Sequence, residues 1–315
     1  MSRLRQKTTT LKTPLLLSSL ALALSGCLYE GSKVDTPPEV AIPPTQEVVP
    51  PTAWTLVWED QFDGTALNTD NWTVETGDGT QHGLPAGWGN NEKQWYSGDN
   101  LSFVDGNLVI SAKEEPTNGM PYTSARILTK GKMDFKYGRI EARVKNPVGQ
   151  GLWSAFWALP TDDVYGGWPT SGEIDVMEIV NASIDSTETL GTLHYGMAWP
   201  RNVQSGQSFD IGSVEDFHVY AVEWEQDEIR WFIDDVHFAT VNSDHWWSYF
   251  YDDAQQTYMS SPDNAPFNQN FHLLLNLAVG GNLPGEPNAD TVFPAEMLID
   301  YVKVFSCEDD VATGA

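Results

Sequence analysis

Apolar and polar residues alternate in short runs along most of this chain, and glycine, proline, asparagine or aspartate bounds the runs. "GRIEARVKN" sets Ile140, Ala142 and Val144 against Arg139, Glu141 and Arg143. A period of two places one set on a buried face and the other outside, so the segment is a predicted strand. "FHVYAVEWEQDEIRWFIDDVHFATV" predicts three strands, broken by hairpin turns at Gln226–Asp227 and Asp234–Asp235. "GNLVISAK", "FHLLLNLAV" and "EMLIDYVKVF" add further strands. No segment carries the pattern of a long amphipathic helix. Many short strands over about 250 residues predict an all-β fold: a two-sheet β-sandwich, or jelly roll, with a concave cleft.

The first 52 residues break this pattern. Arg3, Arg5, Lys7 and Lys12 precede the apolar run "PLLLSSLALAL", which is too short for an ordinary membrane span. "LSGC" then resembles a bacterial lipobox, which implies cleavage before Cys27 and lipid on its sulfur. An ordinary signal peptide with a cysteine at this point is the alternative. Leu28 in place of aspartate points to the outer membrane of a Gram-negative bacterium, with the protein facing the periplasm or the surface. Residues 28–52 include "TPPEVAIPPTQEVVPPT" and are expected to form an extended tether. Residues 53–306 make up the predicted domain, and 307–315 a short tail. Cys307 is the only other cysteine, so with Cys27 lipidated no internal disulfide is available.

Charge narrows the class of partner. With 17 basic and 44 acidic residues the formal net charge is −27, which argues against nucleic acid and other polyanions. Thirteen Trp, thirteen Phe and eleven Tyr supply many flat apolar faces.

The segment with candidate chemistry is "GEIDVMEIV", residues 172–180. Strict alternation places Glu173 and Asp175 on one face and Glu178 on the other, beside Ile174 and Val176. An unpaired carboxylate on an apolar face is very costly. A β-bulge at Val176–Met177 would return Glu178 to the face of Glu173 and Asp175 and turn Met177 into the core. Two carboxyls roughly 5–5.5 Å apart suit retaining glycoside hydrolysis, and a third between them would set their charge. A solvated acidic strand is the competing reading. Trp153, Trp157 and Trp168 lie within twenty residues of the carboxylates, either as sugar-stacking platforms or as core packing.

"WPTSGEIDVMEIV" resembles the signature of glycoside hydrolase family 16, in its laminarinase (endo-1,3-β-glucanase) branch. "WGNNEKQWYS", "YTSARILTKGKMDFKYGRIEARVK", "GQGLWSAFWALP", "GTLHYG" and "NLAVGGNLPGEPNADTVFPAEMLIDYVKVF" fit the same family in order. The resemblance implies Glu173 as nucleophile, Glu178 as acid/base and Asp175 as the helper between them. It implies sugar-binding or cleft-shaping roles for Asn90, Arg126, Trp153, Trp157, Trp168 and His194. For Arg126 an ordinary ion-pair partner, and for His194 a structural histidine, stay open as alternatives. It also implies a structural calcium on Glu59, the Gly106 carbonyl and Asp300, oxygen donors that suit a hard cation; plain hydrogen bonding is the alternative. No cofactor is expected for catalysis. Ser154 stands where the family usually has proline, and Leu283 where it has tryptophan.

The expected activity is retaining endo-hydrolysis of β-1,3-glucan (laminarin) by a lipid-anchored monomer of the cell envelope. Mixed-linkage glucan or a red-algal galactan on the same scaffold is an alternative. So is a non-catalytic glucan-binding protein, although such proteins typically lack the catalytic glutamates that are present here.

Overall fold

The computed structural model describes residues 54–183, 187–214, 216–260 and 264–307. The expected leader with Cys27, the tether and the tail beyond Cys307 lie outside the described residues. Cys307 is a free, half-buried thiol.

Two large antiparallel sheets of eight strands each form the fold. One runs, in spatial order, through Asn202–Asp210, Glu188–Gly196, Glu173–Val180, Leu152–Pro160, Phe271–Val279, Arg126–Leu128 and Thr73–Glu75, with Asp134–Phe135 also paired to Phe271–Val279. The other runs through Val236–Asn242, Glu228–Ile233, His218–Trp224, Gly138–Lys145, Ala295–Cys307, Asn107–Ala112 and Leu101–Val104, with Trp54–Asp60 also paired to Ala295–Cys307. Two single turns of 3₁₀ helix are the only helical pieces among the described residues. The predicted two-sheet sandwich is the observed architecture.

The core lies between the sheets and follows the period-two pattern. Ile140, Ala142 and Val144 meet Leu273, Leu275, Leu277, Phe156, Ala158, Ile174 and Ile179, all essentially inaccessible to water. The turn expected at Asp234–Asp235 is there, with both residues in the left-handed region at φ 48° and 62°, the conformation of a tight hairpin turn.

The opposite face of Gly138–Lys145 is not water-facing as a simple alternation suggests. Arg139 and Glu141 are buried in a charge network. Arg139 reaches Glu141, Glu223 and Asp235 at 2.9, 3.3 and 2.7 Å, and Arg230 holds Glu223, Glu225 and Glu228. Each buried charge therefore has an opposite partner, the condition under which such burial is tolerated.

Candidate active site

The Glu173–Val180 strand carries the bulge that the sequence requires. Against its neighbour Glu188–Gly196, Asp175 pairs with Thr192 and Glu178 with Leu190, so three steps on one strand match two on the other. Against Leu152–Pro160, Asp175 pairs with Trp157, Met177 with Phe156 and Glu178 with Ala155, which leaves Val176 as the extra residue. Directly paired residues share a face. Trp157, Ala155, Asp175 and Glu178 therefore line one face, joined by Glu173 through its pairing with His194. Val176 and Met177 are buried in the core, as a bulge at this point demands.

Trp231 braces the bulge from the opposite sheet. Its indole Nε1 donates to the Asp175 backbone carbonyl at 2.8 Å. Gly191, opposite the bulge, leaves room for that ring: a Cβ there would lie 2.4 Å from Trp231 Cδ1. Neither residue stands out in the sequence, because the two contacts join segments far apart in the chain.

Two of the three acidic groups accept an indole hydrogen bond, and the third lies beside His194. Trp168 Nε1 donates to Glu173 Oε2 at 2.6 Å, and Trp153 Nε1 to Glu178 Oε1 at 3.0 Å. His194 Nε2 lies 3.2 Å from Asp175 Oδ2 and 3.8 Å from Glu173 Oε1. Burial is the largest influence on all three carboxyls and raises each pKa. For Glu173 and Glu178 the neighbouring Asp175 raises it further, while His194 opposes. For Asp175 a hydrogen bond with Glu173 partly offsets burial. The cluster therefore retains protons at pH values where isolated carboxyls are ionised.

The three expected tryptophans lie beside the carboxyls. Trp153 and Trp157 are half-buried on the sheet, and Trp168 is 45% exposed at its edge. Trp157 Nε1 donates to Asn276 Oδ1 at 2.8 Å, and Asn276 Nδ2 to the Tyr96 hydroxyl at 3.1 Å. The loop before the carboxylates is fixed by Ser171, which accepts from Tyr165 N at 2.9 Å and donates to the Gly166 carbonyl at 2.6 Å. Trp199, 70% exposed, lies 6.5 Å from Trp168 between ring centroids, and Trp247 packs over Gly196. Sequence reasoning missed Trp199 and Trp247, which come thirty or more residues after Trp168 and reach Trp168 and Gly196 only through the fold.

Arg126 makes the ion pair left open as its alternative. It is 8% exposed, its Nε sits 2.5 Å from Glu75 Oε2, and its guanidinium is sandwiched between Trp88 and Trp157 at 4.5 and 4.9 Å. It is an ion-pair partner that holds Trp157 from beneath. Asn90 is half-buried and donates to Glu92 Oε1 at 3.2 Å. Burial pushes the Glu92 carboxyl up, against hydrogen bonds from Gln94, Asn90 and Tyr96. His194 lies against the carboxyls and tilted 6.0 Å from Trp168, so it belongs to the acidic cluster. Ser154 is buried, and Leu283 is half exposed.

The expected calcium residues lie on the other sheet. Asp300 is the extra residue of a second bulge, and Glu59 pairs with Lys303 on the same long strand. Gly106 forms the turn between Leu101–Val104 and Asn107–Ala112. The oxygen donors fit a hard cation. Such an ion would share Asp300 with Arg143, 2.6 Å from Oδ2, and Glu59 with Gln61. Among the described residues, the group of three ligand-type side chains close enough to share an ion is Glu173, Asp175 and His194 in the cleft.

Comparison with known proteins agrees with this geometry. The family profile described as "Glycosyl hydrolases family 16" matches residues 89–266. The chain is 42% identical over 267 residues to the glucan endo-1,3-beta-glucosidase A1 of Niallia circulans, covering 79% of this chain and 37% of that protein. It is 38% identical over 266 residues to a beta-glucanase of Rhodothermus marinus, covering 80% of this chain and 85% of that one. The laminarinase catalytic domain of Thermotoga maritima superposes with a TM-score of 0.68 at 35% identity, over 80% of this chain and 98% of that structure. The chain thus spans little more than a third of one relative and most of the other two. The bulged strand, its three carboxyls and this likeness place the chain in glycosyl hydrolase family 16.

Proposed function

We propose that this chain is an endo-acting, retaining hydrolase of β-1,3-glucan. The observation that carries the reading is the bulge, which places Glu173, Asp175 and Glu178 on one face among half-exposed tryptophans. Glu173 attacks the anomeric carbon while Glu178 gives its proton to the departing glycosidic oxygen. Glu178 then takes a proton from water, which displaces Glu173 from the covalent intermediate. Two inversions leave the anomeric configuration unchanged. Asp175 and His194 tune the charge of Glu173 before it attacks and as it is released. Carboxyls, substrate and water suffice for these steps.

Relatives named for 1,3-glucan support the linkage, and the acidic chain disfavours sulfated galactans. A non-catalytic glucan binder does not account for two supported glutamates. We extend the proposal to a lipid anchor on Cys27 in the cell envelope, from the lipobox-like "LSGC", and to a structural calcium at Glu59, Gly106 and Asp300. The deciding experiment is product analysis on purified laminarin, mixed-linkage glucan, cellulose, agar and carrageenan. Laminarin should be cut fastest, releasing β-configured oligomers at first. Rapid agar or carrageenan cleavage with inert laminarin overturns the linkage.

A further inference from the structure

Residues 246–251 alternate strictly between inside and outside. Trp246 is buried against Phe267, Ser248 is buried and donates to the Thr170 carbonyl at 2.6 Å, and Phe250 packs edge-on against Tyr165. Trp247, Tyr249 and Tyr251 take the other side, with Trp247 40% and Tyr251 46% exposed. Tyr251 begins no core of its own. It pairs across the hairpin with Tyr258, which is 58% exposed. Tyr258 in turn stacks on Tyr249, with centroids 5.3 Å apart and planes within 9°.

This stripe starts at the cleft. Ser248 bridges to Gly196, Trp247 lies against the same glycine, and Thr170 is two residues from Trp168. At the usual rise of a strand, Trp247 to Tyr251 spans about 13 Å. Contiguous exposed aromatics mark a binding surface rather than a scaffold. Tyrosine offers a flat face and a hydroxyl together, which suits a ring with apolar faces and polar edges. Residues 244–260 contain no Lys or Arg and include Asp244, Asp252 and Asp253, which selects against an anionic chain.

We infer that the outward face of the hairpin Tyr249–Asp252 and Thr257–Ser260, led by Tyr251 and Tyr258, is a second platform for a neutral glucan chain, continuing the substrate path beyond Trp168 and Trp199. The inference rests on the β-1,3-glucanase reading. It makes the hairpin a device for long substrates, without a part in the chemistry.

The test compares wild type with Tyr251→Ser/Tyr258→Ser on laminarin and on laminaripentaose. The KM for laminarin should rise roughly three- to tenfold, the loss of one or two ring contacts. Its kcat, and both constants for the pentamer, should stay at wild-type values. Tyr251→Phe/Tyr258→Phe, which keeps the rings, should restore most of the laminarin affinity. If the double serine variant melts early, Tyr258→Gln alone serves, since Phe250 still anchors the hairpin on Tyr165. An unchanged laminarin KM overturns the platform. So does an equal loss on both substrates, which would make the hairpin only a brace for the Tyr165 loop. A wild-type protein inert on both substrates instead removes the hydrolase reading, before any variant is compared.

Discussion

Gly191→Ala is the most direct probe of how the active strand is shaped. The new methyl would sit 2.4 Å from Trp231 Cδ1 and 2.7 Å from Cγ and Nε1. Trp231 is fully buried in the core and has little room to retreat. Forcing a methyl into packed space costs about 1–3 kcal/mol. If the indole shifts, the Asp175 carbonyl loses its 2.8 Å bond, for roughly another 1–3 kcal/mol. The combined loss of about 2–6 kcal/mol should lower the melting temperature by roughly 4–24 °C in a domain of this size. Turnover should fall even well below the transition, because the carbonyl that moves belongs to the residue between the two glutamates. Calorimetry and laminarin kinetics at 25 °C read both effects. Trp231→Phe removes part of the obstruction, so the double variant should lose less than the sum of the singles. Wild-type melting and wild-type kcat in Gly191→Ala would refute the idea that Trp231 fixes the bulge.

Glu173→Gln should abolish turnover and change the pH dependence of stability. The folded pKa of Glu173 is raised from an ordinary 4.5 to about 8. Its charge therefore costs stability as pH rises through that range, while below 4.5 the cost is absent. The variant should melt higher than wild type at pH 8 and match it near pH 4, and a constant gap across this range would contradict the linkage. Calcium should raise the melting temperature if Glu59, Gly106 and Asp300 bind it, following ln(1 + [L]/Kd). Unmoved melting after chelation, with no tightly held ion, would remove the site. Cys27→Ala should release the protein from membranes, and a variant that still sediments with them in high salt would refute the lipid anchor.

The sequence made the strands legible because period two survives wherever one face is apolar. The strands flanking Asp234–Asp235 follow that pattern, while Phe271–Val279, buried at every position, shows instead as a nearly continuous apolar run. The bulge was legible for a different reason: Glu178 is intolerable on the face that simple alternation assigns it. For Arg126 the sequence leaves an ion pair and a cleft role both open, because nothing local shows that Glu75 and two indoles enclose it. Trp231, Trp199 and Trp247 were missed on similar grounds. Their roles depend on which distant segments the sheets bring together, and single-strand periodicity carries no such information.

On the proposed mechanism, the distribution of donors accounts for opposite roles of two glutamates on one strand. Three carboxyls this close and this buried cannot all be ionised, since each added charge raises the cost of the next. The protons settle where the anion is least supported. Glu173 has the 2.6 Å indole bond from Trp168 and a hydrogen bond shared with Asp175, while His194 favours the charge on either glutamate. Glu178 has a single longer bond, 3.0 Å from Trp153. In that mechanism, when the cluster loses its first proton these donors favour the charge on Glu173 and leave Glu178 protonated, the arrangement that attack and leaving-group protonation need. Once Glu173 is esterified its charge is gone. Glu178 then ionises more easily and becomes the base that draws the proton from water. The bulge is what makes this exchange possible, because without it Glu178 would face the core and share no field with Glu173.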